Sequence, residues 1–199
     1  VHNRAGLTFA SGLRSMLRAD PDVIMVGEIR DGDTAKIAIE SALTGHLVLS
    51  TLHTNDAPSA MPRLTEMGVE PFLTASAVDC VVAQRLARKL CLNCRRETSI
   101  TPEALEASGF TAGFDPHFAF SAYQAAGCGR CNFTGYKGRI GLYEVMTVTE
   151  EIRALVVERV SADVIRALAV EQGMRVLRED GLDKVRAGTT SIEEVARVS

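Results

Sequence analysis

Two short aliphatic runs, each closed by a cluster of polar and charged residues, constrain this chain more than any other feature. The first is "DVIMVGEIRD", in which Val23, Ile24, Met25 and Val26 show no polar alternation before Gly27 and Glu28. Such a run predicts a parallel strand with both faces covered. Glu28 should then emerge at the strand's C-terminal edge, because burying an unpaired carboxylate is costly and open α/β sheets hold their ligands there. An ordinary strand-end ion pair with a neighbouring arginine accounts for these ten residues equally well. The second run, Leu47 to Leu52, ends in His53, Thr54, Asn55 and Asp56. Between the two, "DGDTAKIAIESALTG" places Ala35, Ala38, Ile39, Ala42 and Leu43 on one helical face, with Asp33 as a candidate N-cap and Gly45 as a stop. Strand, helix and strand in about 30 residues predict a βαβ unit with a right-handed crossover. In a parallel pair both polar clusters lie at one edge.

Further along, "APSAMPRLTEMGVEPF" predicts a helix that starts late or kinks at Pro62. "LTASAVDCVVAQRLARKL" reads as a longer helix with a basic C-terminal end. Glu103 to Ala107 suggest a short helix in a segment otherwise read as loops. From residue 149 the pattern is helical: Ile152, Leu155, Val156 and Val160 share a face, Ser161 is a candidate cap, and Thr190 with Glu193 or Ser191 with Glu194 fits a capping box.

The 199 residues are 46% hydrophobic and contain no Trp, which indicates a soluble globular chain with an aliphatic core. A net charge of −3 gives no global electrostatic case for binding nucleic acid or an anionic membrane. No stretch reaches the roughly 18 apolar residues of a membrane span, and no signal peptide is apparent. The chain starts without Met and in mid-pattern, as expected of a fragment of a longer protein.

Five cysteines fall at positions 80, 91, 94, 128 and 131. Four form the pairs "CLNC" and "CGRC", with 33 residues between them. An odd count without a secretory signal argues against a disulfide framework and for metal in a reducing compartment. Each C-x-x-C turn supplies one edge of a tetrahedron, so Cys91, Cys94, Cys128 and Cys131 are candidate ligands of a structural Zn²⁺. Gly127 and Gly129 permit the tight backbone that a metal knuckle needs. A redox pair or two unrelated turns are the alternatives. Four thiolates leave no open position for a catalytic water. Cys80, within "AVDCVVA", reads as a core residue.

Taken together, "GLTFASGLRSMLRADPDVIMVGEIRDGDTA", "ALTGHLVLSTLHTNDAP", "MGVEPF", "AQRLARKLC", "CNFTGYKGRIGLYEV" and "DGLDKVRAGTTSIEEV" closely resemble the C-terminal portion of the type II secretion and type IV pilus assembly ATPases. The resemblance implies part of a RecA-like parallel sheet, the half holding the Walker B and His boxes, followed by a tetracysteine zinc subdomain and a C-terminal helical region. The divisions fall at residues 1–90, 91–140 and 141–199. It implies that "VIMVGE" is an atypical Walker B box, with Gly27 where Asp is usual, and that Glu28 orients or activates the attacking water. It also implies that "TGHLVLSTLHTN" is the His box, with His53 near the γ-phosphate and His46 structural. Arg14, Arg18, Arg30 and Arg139 lie in matching motifs, where arginines stabilise transferred charge or join subunits; a surface ion pair is the plain alternative for each.

By the same resemblance the parent is a homo-hexameric motor that uses ATP and Mg²⁺ and works with platform proteins at the cytoplasmic face of the bacterial inner membrane, without inserting into it. No G-x-x-x-x-G-K-[ST] occurs in the 199 residues, and the family's aspartate box is missing too. The chain alone is therefore expected to be inactive. The competing reading is a non-catalytic zinc-bearing interaction module, such as a nucleic-acid-binding zinc ribbon. "RRE" and "YKGR" supply some basic charge, but the acidic balance and scarce aromatics oppose nucleic acid as a partner.

Overall fold

A computed structural model describes residues 8–110, 115, 117 and 119–199. The chain divides into two compact units, one running up to Val82 and resuming over Val145–Met174, the other formed by Ala83–Glu144 and Arg175–Ser199. These units cut across the linear division at residues 90 and 140, because the helical C-terminal region contributes to both. Most of the stretch around positions 111–118, expected to be loop, lies outside the described residues.

In the first unit α1 (Phe9–Met16) leads through a 3₁₀ turn to β1 (Val23–Val26), α2 (Gly32–Leu43) and β2 (Leu47–Ser50). β1 and β2 pair in parallel, with Val23 beside Leu47 and Val26 beside Ser50. The expected βαβ unit is present, but its strands are not covered on both faces. Ile24 and Val26 are buried against Leu13, Ala35, Ala38 and Ile39, whereas Val23, Met25, Leu47 and Leu49 are exposed. Among the described residues this sheet has two strands and one packed face, so the unbroken aliphatic run becomes an inside–outside alternation.

Asp31, not Asp33, caps α2: its carboxylate accepts from Thr34 N at 2.8 Å and from Thr34 Oγ1 at 3.0 Å. Asp33 lies inside the first turn. At the far end Gly45 takes a φ of 103°, a left-handed conformation that suits glycine. α3 (Ala60–Glu66) starts late, as expected, with Pro62 in the first turn where its missing N–H costs nothing. The longer helix expected next does not form. α4 stops at Pro71–Ala77, and Cys80–Leu90 is a strand, β3. Ala, Gln, Arg, Leu and Lys favour helix locally, but pairing with β6 (Tyr136–Thr147) overrides that preference, and side chains alternate between covered and exposed along Cys80–Leu86. Cys80 is exposed at the start of β3, not in the core. The unit is completed by α6 (Glu150–Val157) and α7 (Ala162–Glu171), whose Ile152, Val156, Ile165 and Ala169 are buried.

The second unit holds more order than the sequence suggested. β4 (Arg96–Ile100) and β5 (Phe120–Gln124) pair antiparallel, Arg96 beside Gln124 and Ile100 beside Phe120. Pro102–Ala107 forms the short helix α5 between them. α8 (Leu177–Arg186) and α9 (Ile192–Val198) supply Leu177, Leu182, Val185 and Val195 to a core shared with Leu105, Phe110, Phe120 and Leu142. Among the described residues, no helix is long and apolar enough to cross a membrane.

Only half of the expected capping box forms at α9. Ser191 Oγ accepts from Glu194 N, but the Glu194 carboxylate turns away to the backbone N–H and guanidinium of Arg88 and to Arg197. Burial alone would raise the Glu194 pKa; the donors from Arg197 and Arg88 outweigh it and hold the carboxyl at about 2. A depressed pKa contributes stability that is fully present above 4.5, the ordinary value, and is lost as pH falls through about 2. Glu194→Gln is expected to lower unfolding free energy at neutral pH by about 2 to 3 kcal/mol, a value tempered by the half-exposed arginines that water can reach. Paired denaturant titrations should show the gap from wild type closing as pH falls from 4.5 toward 2.

Candidate active site and metal centre

The parallel register carries both polar clusters past the same sheet edge. Beyond the paired residues Ile29 N donates to Thr51 O at 2.9 Å, and Thr51 Oγ1 donates to Gly27 O at 2.7 Å. These bonds fix the backbone on either side of Glu28. Its Oε2 accepts from Arg30 Nε at 2.7 Å and from His53 Nε2 at 3.0 Å. The strand-end ion pair is therefore present, and the second strand adds an imidazole to the same oxygen. Oε1 has no partner among the described residues. The Glu28 side chain is 23% exposed, while those of Arg30 and His53 are 67% and 74% exposed. The hydrogen bond from His53, then that from Arg30, holds the carboxyl below the usual carboxylate range. Glu28 is thus an ionised acceptor at an open edge, with one oxygen free to bind water. His46 lies at the other end of β2, where Nδ1 is 2.9 Å from Ser41 O and 3.2 Å from Thr44 Oγ1.

The four paired cysteines converge in the second unit. Cys91 and Cys94 follow β3, and Cys128 and Cys131 bracket a 3₁₀ turn. The Sγ atoms all lie within 4.8 Å of one another, with separations of 3.9 Å for Cys91–Cys128 and 3.8 Å for Cys94–Cys131 and Cys128–Cys131. Tetrahedral zinc with Zn–S bonds of about 2.3 Å requires sulfurs about 3.8 Å apart, so the donor set fits. Backbone N–H groups of Gly127 and Gly135 donate to Cys94 and Cys131, and Asn93 Nδ2 donates to Cys128. Burial opposes ionisation of Cys128, but the Asn93 and backbone donors bring it down to about 6, whereas burial pushes Cys94 up to about 12. Gly127 has a φ of 102°, and a Cβ there would lie 2.7 Å from Phe133 O, so the knuckle demands glycine.

Residues 1–197 match the family described as type II/IV secretion system protein. The chain belongs to this family. As a type II/IV secretion system protein it is 51% identical over 195 residues to the type IV pilus assembly ATPase PilB of Thermus thermophilus, covering 98% of the chain and 22% of that protein. It is 46% identical over 199 residues to the type II secretion system protein E of Pectobacterium carotovorum, covering 100% of the chain and 39% of that protein. It therefore spans well under half the length of these relatives. Among solved structures it resembles the Legionella pneumophila ATPase DotB (TM-score 0.65, 23% identity, 96% of this chain and 42% of that one). It resembles equally the pilus retraction motor PilT with bound ADP (TM-score 0.65, 24% identity, 96% and 43%). At these identities the likeness establishes the α/β fold.

The structure brings together Glu28, Arg30 and His53 from the expected site set. Arg14 in α1, Arg18 in the following turn and Arg139 in β6 are exposed and make no ion pair among the described residues. Two further roles escaped the sequence, one of them for Asp56 of the polar cluster after the second strand. Asp56 closes the His53 loop by accepting from Ser59 N, a role that the D-x-x-S spacing signals. Arg166 of α7 pairs with Asp56 at 2.7 Å, and no sequence pattern announces that pairing.

The metal centre gives a direct expectation. Elemental analysis of protein purified without added metal should find about one tetrahedral ion per chain, zinc by the sulfur spacing. In the folded protein a thiol reagent should modify exposed Cys80 alone, and chelation should release the other four. Five freely reactive thiols without metal would contradict the assignment.

Proposed function

We propose that this chain is the C-terminal portion of a homo-hexameric ATP-hydrolysing motor that drives type II secretion pseudopilus or type IV pilus assembly at the cytoplasmic face of the inner membrane, against its platform proteins. One observation carries the reading: in a chain of this family, adjacent parallel strands deliver an ionised carboxylate, Glu28, and an imidazole, His53, to one sheet edge. The type IV pilus assembly ATPase and type II secretion protein E relatives support it.

Glu28 is the group that orients the attacking water and draws off its proton through the unengaged Oε1. His53, donating to Oε2, holds the carboxylate in place and exchanges that contact when the γ-phosphate changes state. Arg30, and Arg14, Arg18 and Arg139 elsewhere, provide positive charge toward nucleotide or a neighbouring subunit. Mg²⁺ bound with ATP supplies charge neutralisation on the phosphates. The four cysteines hold a structural zinc. No P-loop sequence occurs in these 199 residues, so the phosphate cradle belongs to another part of the parent, and the chain alone should show no turnover above background.

Glu28→Gln in the full-length protein tests the chemistry, because the amide keeps the shape and loses the charge. Hydrolysis should fall on the order of 10²- to 10⁴-fold while ATP binding and assembly persist. His53→Ala should cost less, as a group that reports phosphate state without removing the proton. Wild-type turnover in a hexameric Glu28→Gln protein would reduce Glu28 to a strand-end ion-pair residue and favour the non-catalytic metal-bearing module.

A further inference from the structure

The loop that carries His53 is held at both ends, and its second anchor comes from a distant helix. At its entry Thr51 is tied to the end of β1 through Gly27 O and Ile29 N. At its exit both carboxylate oxygens of Asp56 are committed: Oδ1 accepts from Ser59 N at 2.9 Å, and Oδ2 pairs with Arg166 at 2.7 Å. Thr54 Oγ1 also donates to Asp56 O at 3.0 Å, which closes the loop on itself. Ser59 opens α3 without a side-chain cap of its own, so Asp56 performs that task. Arg166 is carried by α7, which Ile165 and Ala169 root in the interior. Neither partner is fully solvated, and burial would raise the Asp56 pKa; the Ser59 and Arg166 donors reverse that and keep it ionised.

We propose that Arg166 is a positioning residue for His53: through Asp56 it fixes the exit of the loop, so that the imidazole meets Glu28 and the α7 helix is mechanically joined to the site. This rests on the reading of Glu28 and His53 as the site pair. With Thr51 and Asp56 both pinned, the intervening residues have little freedom, and a displacement of α7 moves the imidazole relative to a carboxylate held by the other anchor. An ordinary surface ion pair would leave His53 indifferent to Arg166. The α7 link would also carry a change at His53 outward to the helices.

The test uses Arg166→Gln, which keeps most of the apolar stem, and Arg166→Lys, which keeps the charge. In this 199-residue chain, NMR of the His53 ring should show shifted and broadened resonances in Arg166→Gln and a partial return in Arg166→Lys. In the full-length protein Arg166→Gln should lower kcat on the order of 10-fold with KM for ATP unchanged, as expected for a misplaced site group. In a His53→Ala background the same substitution should have no further effect. Unmoved His53 resonances in folded Arg166→Gln overturn the proposal, as does an equal fall in kcat with and without His53. If His53→Ala and Glu28→Gln leave turnover intact, the catalytic reading fails, while the ring resonances still decide whether Arg166 positions His53. Should Arg166→Gln not fold, Asp56→Asn breaks the same pair from the other side and is read in the same two ways.

Discussion

The parallel pairing of β1 with β2 sets the geometry on which the first unit depends. Parallel strands run in the same direction, so residues that follow each one must leave the sheet at the same edge. The register places Val26 beside Ser50, and two or three residues later that alignment presents Glu28 and His53 to each other. A slip of one residue would exchange buried Ile24 and Val26 for Val23 and Met25 and turn Glu28 away. The hydrophobic core beneath the strands and the carboxylate–imidazole contact beyond them are therefore fixed by one register. The Thr51 bonds to Gly27 and Ile29 extend that register past the last paired residues.

In the second unit the cysteine quartet is embedded in backbone contacts with the C-terminal helices. On one side of Cys91, Leu90 N donates to Thr189 O and Thr190 Oγ1 donates to Arg88 O. On the other side of Cys94, the Arg95 guanidinium bonds to Gly188 O and lies 4.3 Å from the Tyr123 ring centroid. The first knuckle is thus gripped on both flanks by the loop between α8 and α9. This explains why helices more than forty residues downstream of the second knuckle share a compact unit with the cysteine cluster, while α6 and α7, nearer in sequence, do not.

How much of this was legible in the sequence follows from the range of the forces involved. The βαβ unit and the late start of α3 are governed by local periodicity, Gly45 and Pro62, and they were readable. The convergence of the four cysteines was readable because the spacing of the two C-x-x-C pairs is itself the signal. Cys80–Leu90 was not: its composition favours helix, and the deciding interaction is β6, more than forty residues away in sequence. The β4–β5 ladder was hidden for the same reason, since Arg96–Ile100 has only a modest apolar alternation and its partner lies beyond α5. The cap of α2 moved from Asp33 to Asp31 because both are equally good caps by type, and backbone direction after Arg30 chose between them. The meeting of Glu28 and His53 at one sheet edge was legible from the two strand ends, while the Asp56–Arg166 pair spans two elements with no shared pattern.

Glu28 and Glu194 show how the same residue type is turned to different ends. Each is a glutamate facing two cationic or proton-donating partners, with a pKa below the ordinary value. The Glu194 side chain is fully buried and saturated: Oε1 accepts from Arg88 N and Arg197, and Oε2 from Arg88 and Arg197 again. Removing any of these would leave a buried charge incompletely paired, which is costly, so Glu194 can only hold structure. Glu28 uses one oxygen, and its partners Arg30 and His53 are themselves mostly in water. Exchanging such a partner for water or a phosphate oxygen changes the free energy little, because water screens exposed ion pairs. Catalysis requires a carboxylate that stays charged yet can change partners during a cycle. Glu28 meets both conditions and Glu194 only the first, so exposure of the partners, more than the depressed pKa, separates the two carboxylates, and it is this difference that the role proposed for Glu28 relies on.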